Sequence, residues 1–367
     1  MIETILIFAT VLYSMAMLYL RFGLARADNK RRNDNYEPTV SVIVAARNEE
    51  ESIGECLLSL SRLEYPPEKL ELIIVNDGSV DKTKAITEGI VSSHPWMKLV
   101  STSPGTGNLR GKPNAVAQGI EASRGEILMF TDADCTVQPE WVKETVRSFD
   151  NETGVVGGFT LLEAHRTFEG IQTLDWLFLF GLASASAGLG TPLTVIGNNL
   201  AVRRAAYDST GGFKDIPFSV TEDYALVQSI LKKTNYKVRF PVNPKTLVMS
   251  KPCADWNRLF RQKQRWWVGG LDMILWGVVL MLIGWTSRIS LILGLFAGSP
   301  LVVLAGLASV SLMDMILLWK PLKSFGRLAY LRYLPAYEIY FILCMLILPV
   351  VALSSRNVVW KERKLEG

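Results

Sequence analysis

The chain has 367 residues, 49% of them apolar, a formal net charge of +4, four cysteines and two histidines. That length holds one large domain and further segments, and so modest a charge, much of it flanking apolar runs, favours anionic lipid headgroups over nucleic acid as a partner. Cys56, Cys135, Cys253 and Cys344 make no CxxC pair and His94 and His165 stand far apart, which points to a reducing compartment and away from a zinc site.

Apolar residues dominate from Met1 to Leu20, with Glu3 the one charge among them. Roughly 20 helical residues are enough to span a hydrocarbon core. Ala25–Arg26–Ala27 faintly resembles a signal cleavage site, but signal peptides carry their positive charge ahead of the apolar run. Here Arg21, Arg26, Lys30, Arg31 and Arg32 come after it. The bias predicts a retained transmembrane anchor over residues 1–22, with its N-terminus outside and the chain beyond Arg21 in the cytoplasm.

Residues 38–270 alternate strand and helix. Val40–Ala45 is an apolar run of strand length, followed by the polar turn Arg47–Asn48–Glu49–Glu50 and a helix with Ile53, Leu57 and Leu60 on one face. Leu70–Val75 is a second strand ending in Asn76–Asp77–Gly78–Ser79, and a helix starts near Asp81 and Thr83. Lys98–Ser101 reads as a third strand, Ala115–Ser123 as a helix and Glu126–Thr131 as a strand, and Pro139 opens another helix at a position proline tolerates. The succession predicts an α/β fold, a mostly parallel sheet with helices on both faces.

The run Ile127–Thr131 delivers Asp132 and Asp134 to the place where it ends, and ligands of open α/β sheets bind outside the carboxyl ends of the strands. Two carboxylates there suit a hard divalent cation, Mg²⁺ or Mn²⁺, held together with substrate phosphates. The same pair also reads as a helix N-cap with a spare acid. Gly105–Thr106–Gly107–Asn108–Leu109–Arg110–Gly111 has the spacing GxGxxxG and lies far from the first strand, so it reads as a mobile loop rather than a dinucleotide fingerprint.

Further on, Thr221–Glu222–Asp223 precedes the helical run Ala225–Leu231, and Arg258–Trp267 reads as an amphipathic helix leading to the membrane. Gln262, Arg265 and Trp266 fall at i, i+3 and i+4, on one face. Residues 271–355 are mostly apolar and predict two to three helices. Leu271–Trp285 is short for a span; Ile289–Trp319, with Asp314 near its end, either spans with tilt or breaks at Gly298–Ser299–Pro300; Pro335–Leu353 is the last. A basic segment with Lys320, Lys323, Arg327 and Arg332 precedes that last helix, and a basic tail, residues 356–367 with Arg356, Lys361, Arg363 and Lys364, comes after it. Two basic segments on either side of a single span leave the number of crossings open.

Ser41–Val42–Ile43–Val44–Ala45–Ala46–Arg47–Asn48–Glu49, Asn76–Asp77–Gly78–Ser79, Asp132–Ala133–Asp134, Gly197–Asn198–Asn199, Thr221–Glu222–Asp223 and Gln262–Lys263–Gln264–Arg265–Trp266 stand in one order over residues 38–270. In that order and spacing the chain resembles family-2 glycosyltransferases of GT-A fold. The last motif matches the QxxRW signature of the membrane-bound branch, which includes small lipid and carotenoid glycosyltransferases and, more distantly, cellulose and hyaluronan synthases.

The resemblance implies a nucleotide-sugar donor, most simply a UDP-sugar, and a role for each matching position. Asp77 would accept a hydrogen bond from the nucleobase; the plain alternative is an Asp stabilising its own turn. Asp132 and Asp134 would hold the cation against the diphosphate, with Asp134 the direct ligand. Lys112 would add a point charge there, or stand solvated at a helix start. Asp223 would be the general base of an inverting transfer, or an acid favoured at a helix start. Arg265 would meet the diphosphate, Trp266 would floor the acceptor pocket beside Gln262, and tryptophan also suits a membrane interface. Gly197–Asn198–Asn199 would leave space and amides near the acceptor, or form a simple turn.

The implied protein is an enzyme of the membrane, with a bacterial-type plasma membrane as the setting and the catalytic domain cytoplasmic. It would move a hexose to a hydroxyl of a lipid or terpenoid acceptor. Processive polysaccharide synthesis is the enzymatic alternative, and a non-catalytic membrane scaffold the alternative of another class.

Overall fold

The computed structural model describes residues 2–28, 32–105, 109–217, 219, 221–270, 274–354, 357–360 and 363–366. Lys30, Arg31, residues 106–108 of the glycine loop, Arg356 and Lys361 lie outside the described residues, as does the start of the segment at 271–273.

The apolar runs expected to be strands form one sheet. Val40–Ala46 (β1), Leu70–Asn76 (β2), Met97–Ser101 (β3) and Ile127–Asp132 (β4) pair in parallel, in the order β3–β2–β1–β4. After the short strands Thr136–Val137 (β5), Thr153–Gly157 (β6) and Thr160–Leu162 (β7), Leu200–Arg203 (β8) adds antiparallel to β4; β6 and Lys237–Arg239 (β9) complete the sheet. Val248–Ser250 (β10) joins β5 and β7 in a second, smaller sheet. The chain is mixed α/β with a mostly parallel central sheet, as the alternation of elements implies.

Side chains alternate across β1, so Val42 and Val44 pack on one face with Leu57, Trp141 and Phe149, while Ile43 packs on the other with Ala115 and Leu174. Ile53–Leu60 (α2), Thr83–Val91 (α3), Gly111–Glu121 (α4) and Trp141–Val146 (α5) supply the helical layers. Thr167–Gly188 (α6) is a helix that the sequence pattern does not announce, because it is apolar nearly all round. Its start is fixed by Glu169, whose Oε2 accepts the backbone N–H groups of His165 and Arg166 at 2.7 and 3.0 Å. Arg204–Asp208 (α7), Glu222–Lys233 (α8) and Trp256–Gly270 (α9) come next.

Among the described residues, four helices are long and apolar enough to cross a membrane: Ile2–Asp28 (α1, the first helix in chain order), Leu275–Ala297 (α10), Pro300–Ser324 (α11) and the segment Leu328–Leu348, most of which belongs to Leu334–Ser354 (α12). The expected partition at Trp285–Ile289 is corrected: Thr286, Ser287 and Arg288 lie inside the single helix α10. Their polarity is met from within, since Arg288 pairs with Asp314 of α11 and donates to the Tyr13 hydroxyl of α1 at 3.0 Å. The break at Gly298–Ser299–Pro300 is real, and there Glu3, the one charge in the first apolar run, accepts the Ser299 N–H at 2.6 Å. Residues 357–360 and 363–366 of the basic tail pair as a short antiparallel hairpin.

α1 does not stand apart from the sheet. It packs along α6 at a contact between glycines, where a Cβ on Gly188 would fall 2.0 Å from the Gly23 carbonyl oxygen. Only backbone against backbone fits so close an approach.

Candidate active site

The parallel strands end level with one another. Ala46 of β1 stands beside Asn76 of β2, and Ala45 beside Asp132 of β4, so the residues just beyond these ends converge on one crevice. The strand order reverses at β1, which makes that crevice the switch point where ligands of open sheets bind. Its walls are laced together: Asn48, with φ +51°, accepts the Val80 N–H at 3.0 Å, the Thr83 hydroxyl accepts the Glu49 N–H at 2.7 Å, and Arg47 donates to the Asp77 carbonyl at 2.7 Å. Asparagine tolerates that left-handed conformation where most residues do not. Asp77 is buried at the end of β2, and the Thr102 hydroxyl donates to its Oδ1 at 3.3 Å.

Asp132 closes β4 and Asp134 lies in the next turn, where its Oδ1 accepts from the Cys135 thiol at 3.5 Å. Burial, reinforced by Asp134, pushes that thiol well above its usual range. Among the described residues no group of three or more His, Cys, Asp or Glu side chains is arranged to hold a metal ion. Two adjacent hard carboxylates nonetheless fit a cation such as Mg²⁺, which is typically held by one or two carboxylates plus substrate phosphates.

Lys112, in the first turn of α4, reaches across to both sides of the crevice. Its Nζ lies 2.7 Å from Asp132 Oδ1 and 3.4 Å from Glu222 Oε1. Burial alone would lower its pKa, but the two carboxylates reverse the sign and hold it raised. The lysine is therefore a paired one, not a solvated charge at a helix start.

Asp223 stands in the first turn of α8. Its Oδ2 accepts the Gly197 N–H at 2.5 Å and its Oδ1 the Tyr224 N–H at 2.8 Å. Burial, then the charge of Glu222, raise its pKa to about 6, against the opposing pull of Lys112 and the two N–H donors. Gly197 has a steric reason to be glycine here: a Cβ on it would meet Asp223 Oδ2 at 3.2 Å. Its neighbours belong to the scaffold instead. Asn199 donates to the Phe159 and Thr246 carbonyls at 2.7 and 2.9 Å and accepts from Trp141 Nε1, while Asn198 accepts from Thr160.

Beyond Asp223 a cavity of about 580 Å³ runs between the apolar helices. It is lined by Asp223, Tyr224 and Thr221, by Lys263, Trp266 and Trp267 of α9, by Asp175 and Phe178 of α6, by Tyr13, Met17 and Leu20 of α1, and by Gly284 and Arg288 of α10. Trp266 packs tilted against Trp176, with ring centres 5.3 Å apart, and carries Lys263 Nζ 4.0 Å from its ring centre. Gln262 and Arg265 share the helix but are not among the lining residues. Arg265 has no carboxylate partner among the described residues, and the buried Oε1 of Gln262 has no hydrogen-bond partner among them.

Residues 127–355 match the model for Glycosyl transferase family group 2, and residues 41–211 that for Glycosyl transferase family 2. The chain belongs to glycosyltransferase family 2. Among curated relatives of this family, the probable glycosyltransferase YdaM of Bacillus subtilis is 30% identical over 255 residues, 67% of this chain and 58% of that protein. Beta-monoglucosyldiacylglycerol synthase of Synechocystis is 29% identical over 269 residues, 69% of this chain and 53% of that one. Poly-beta-1,6-N-acetyl-D-glucosamine synthase of Staphylococcus epidermidis is 28% identical over 239 residues, 64% and 55% of the two chains. The chain thus spans a little over half the length of these curated relatives. Among solved structures, the mannosyltransferase PcManGT from Pyrobaculum calidifontis, in complex with GDP-Man and Mn²⁺, superposes with a TM-score of 0.63 at 21% identity. The superposition covers 93% of this chain and 99% of that one. The family-2 chain has the expected GT-A fold.

Proposed function

We propose that this glycosyltransferase moves a hexose from a nucleotide sugar, most simply a UDP-sugar, to a hydroxyl of a lipid or terpenoid acceptor in the membrane, with inversion. One observation carries the reading: Asp223 belongs both to the crevice at the strand ends, through Glu222 and Lys112, and to the cavity between apolar helices. The related glucosyldiacylglycerol synthase, by its name a maker of a glycolipid, supports a lipid acceptor. The positive charge after α1 favours a cytoplasmic catalytic domain.

In this mechanism Asp77 accepts the nucleobase N–H, held for it by Thr102. Asp134 and Asp132 would hold a divalent cation, Mg²⁺ or Mn²⁺, which would supply Lewis-acid stabilisation of the departing nucleoside diphosphate; the Mn²⁺ in the PcManGT complex supports the use of such a cation. Lys112, already facing Asp132, adds a point charge, and Arg265 is the further cation on the helix that leads to the site. Asp223 accepts the proton of the acceptor hydroxyl as that oxygen bonds the anomeric carbon and the bond to the diphosphate breaks. A carboxylate with a pKa near 6 is mostly ionised at neutral pH and still basic enough for this task. Trp266 forms part of the acceptor wall.

Donor hydrolysis by the purified protein, measured across nucleotide sugars with Mn²⁺, Mg²⁺ or EDTA, tests the reading without knowledge of the acceptor. Metal-dependent release of UDP from one sugar is expected. No hydrolysis and no metal-dependent UDP binding would make the chain a scaffold.

A further inference from the structure

The proposed transfer leaves the chemistry of the acceptor open between charged and neutral lipids. Resting on that reading, we infer that the acceptor is an uncharged lipid alcohol, whose hydroxyl meets Asp223 and whose apolar chain lies in the cavity between α1, α6 and α10.

The size and lining come first. At about 580 Å³ the cavity is in the range of sites that enclose a small organic molecule, roughly 300–1,000 Å³. Past Asp223 its walls are mainly aliphatic and aromatic, including Met17, Leu20 and Phe178, and an apolar wall next to a proton acceptor calls for an amphipathic occupant.

Charge then decides between lipid classes. Two cations line the cavity, and each already faces a carboxylate: Lys263 pairs with Asp175, and Arg288 with Asp314. Asp223, at the mouth of the same cavity, is itself acidic. A phosphate entering this space would find both cations already paired and would face the Asp223 carboxylate away from water, at a large desolvation cost. A neutral alcohol meets neither penalty. The buried Nε of Arg288 has no hydrogen-bond partner among the described residues, and as a donor it suits a neutral oxygen such as an ester carbonyl.

The test uses the full chain in detergent–lipid micelles with two acceptor probes, dioleoylglycerol and undecaprenyl phosphate. Donor hydrolysis is followed in parallel, and its absence would defeat the proposed function rather than this inference. With hydrolysis present, transfer to dioleoylglycerol in preference to undecaprenyl phosphate is expected; the reverse preference, or transfer to neither, overturns the inference and leaves the enzyme class standing. Gly284→Phe narrows the cavity, since a Cβ there points into ordinary contact with Met345 and Tyr13 at 3.7 and 3.9 Å. It should lower the ratio of lipid transfer to donor hydrolysis by about tenfold or more, the scale at which a hydrophobic pocket rejects a misfit. Leu282→Phe, on the exposed side of the same helix, should keep the ratio. An unchanged ratio in Gly284→Phe would count against the assignment. Should that variant misfold, a photoreactive diacylglycerol on the unmodified protein gives the answer: crosslinks to α1 or α10 peptides support the site, and crosslinks confined to other surfaces refute it.

Discussion

Lys112 Nζ sits 2.7 Å from Asp132 Oδ1, and the same ammonium lies 3.4 Å from Glu222, the residue preceding Asp223. One lysine thus couples the carboxylate pair at the end of β4 to the start of α8. Its charge lowers the pKa of Asp223 against burial and Glu222. Lys112→Met should therefore move the acid limb of the pH profile of kcat/KM for donor hydrolysis to higher pH. A limb that stays in place would mean the lysine does not act on the base.

For the unmodified protein, the sign of the pH dependence comes from the direction of the shift. Asp223 must be ionised to accept a proton, and its pKa is raised to about 6, so lipid transfer should fall as pH drops through that value and level off above it. Asp223→Asn should abolish this limb and reduce transfer by roughly 10²–10⁴ while UDP binding persists. Retained turnover with the same limb would remove Asp223 from the mechanism.

The carboxylate pair has its own readout. Asp134→Ala should weaken the Mn²⁺-dependent part of UDP binding, measured by calorimetry with and without EDTA, and leave the metal-independent part in place. If the metal dependence were untouched, the pair would be structural only.

Gly197 tests positioning. A methyl group there would crowd Asp223 Oδ2 at 3.2 Å and disturb the N–H that holds it. Gly197→Ala should lower kcat, by up to roughly 10²-fold, the cost of a misplacement of about 1 Å. The KM for donor should change little; a donor KM that rises while kcat holds would place Gly197 in donor binding instead.

Among the apolar helices, Asp314→Leu strands Arg288 in a buried setting and should destabilise the protein by about 3–5 kcal/mol, seen as a lower thermal midpoint in detergent. The double change Arg288→Met, Asp314→Leu should recover much of that loss. Equal midpoints for single and double variants would show that the pair contributes no coupling.

The parts of this molecule that sequence makes legible are those whose signal is local. β1, β2 and β4 are runs of buried aliphatic residues that end in polar turns, and their order implies a mostly parallel sheet. The acids at those ends are visible for the same reason. The hidden parts depend on partners far along the chain. Arg288 looks like a break between two apolar segments until Asp314 and Tyr13 are seen to satisfy it inside one helix. Asn198 and Asn199 read as a turn near an acceptor, yet their amides stitch β7, α5 and the segment before β10. α6 has no polar face to give it a period. Lys112 shows its reach only when α4 and α8 are brought together.

The glycine contact between α1 and α6 has a mechanical meaning. A membrane anchor joined by a slack linker lets its cargo drift to and from the lipid surface; here the first helix is keyed into the catalytic body by touching backbones at Gly23 and Gly188. On the proposed function, Asp223 would then hold a fixed height above the bilayer, and acceptors would rise or sink to meet it. Cutting the chain after Asp28 would not release a working soluble enzyme, because the cut removes a wall of the machine along with its mooring.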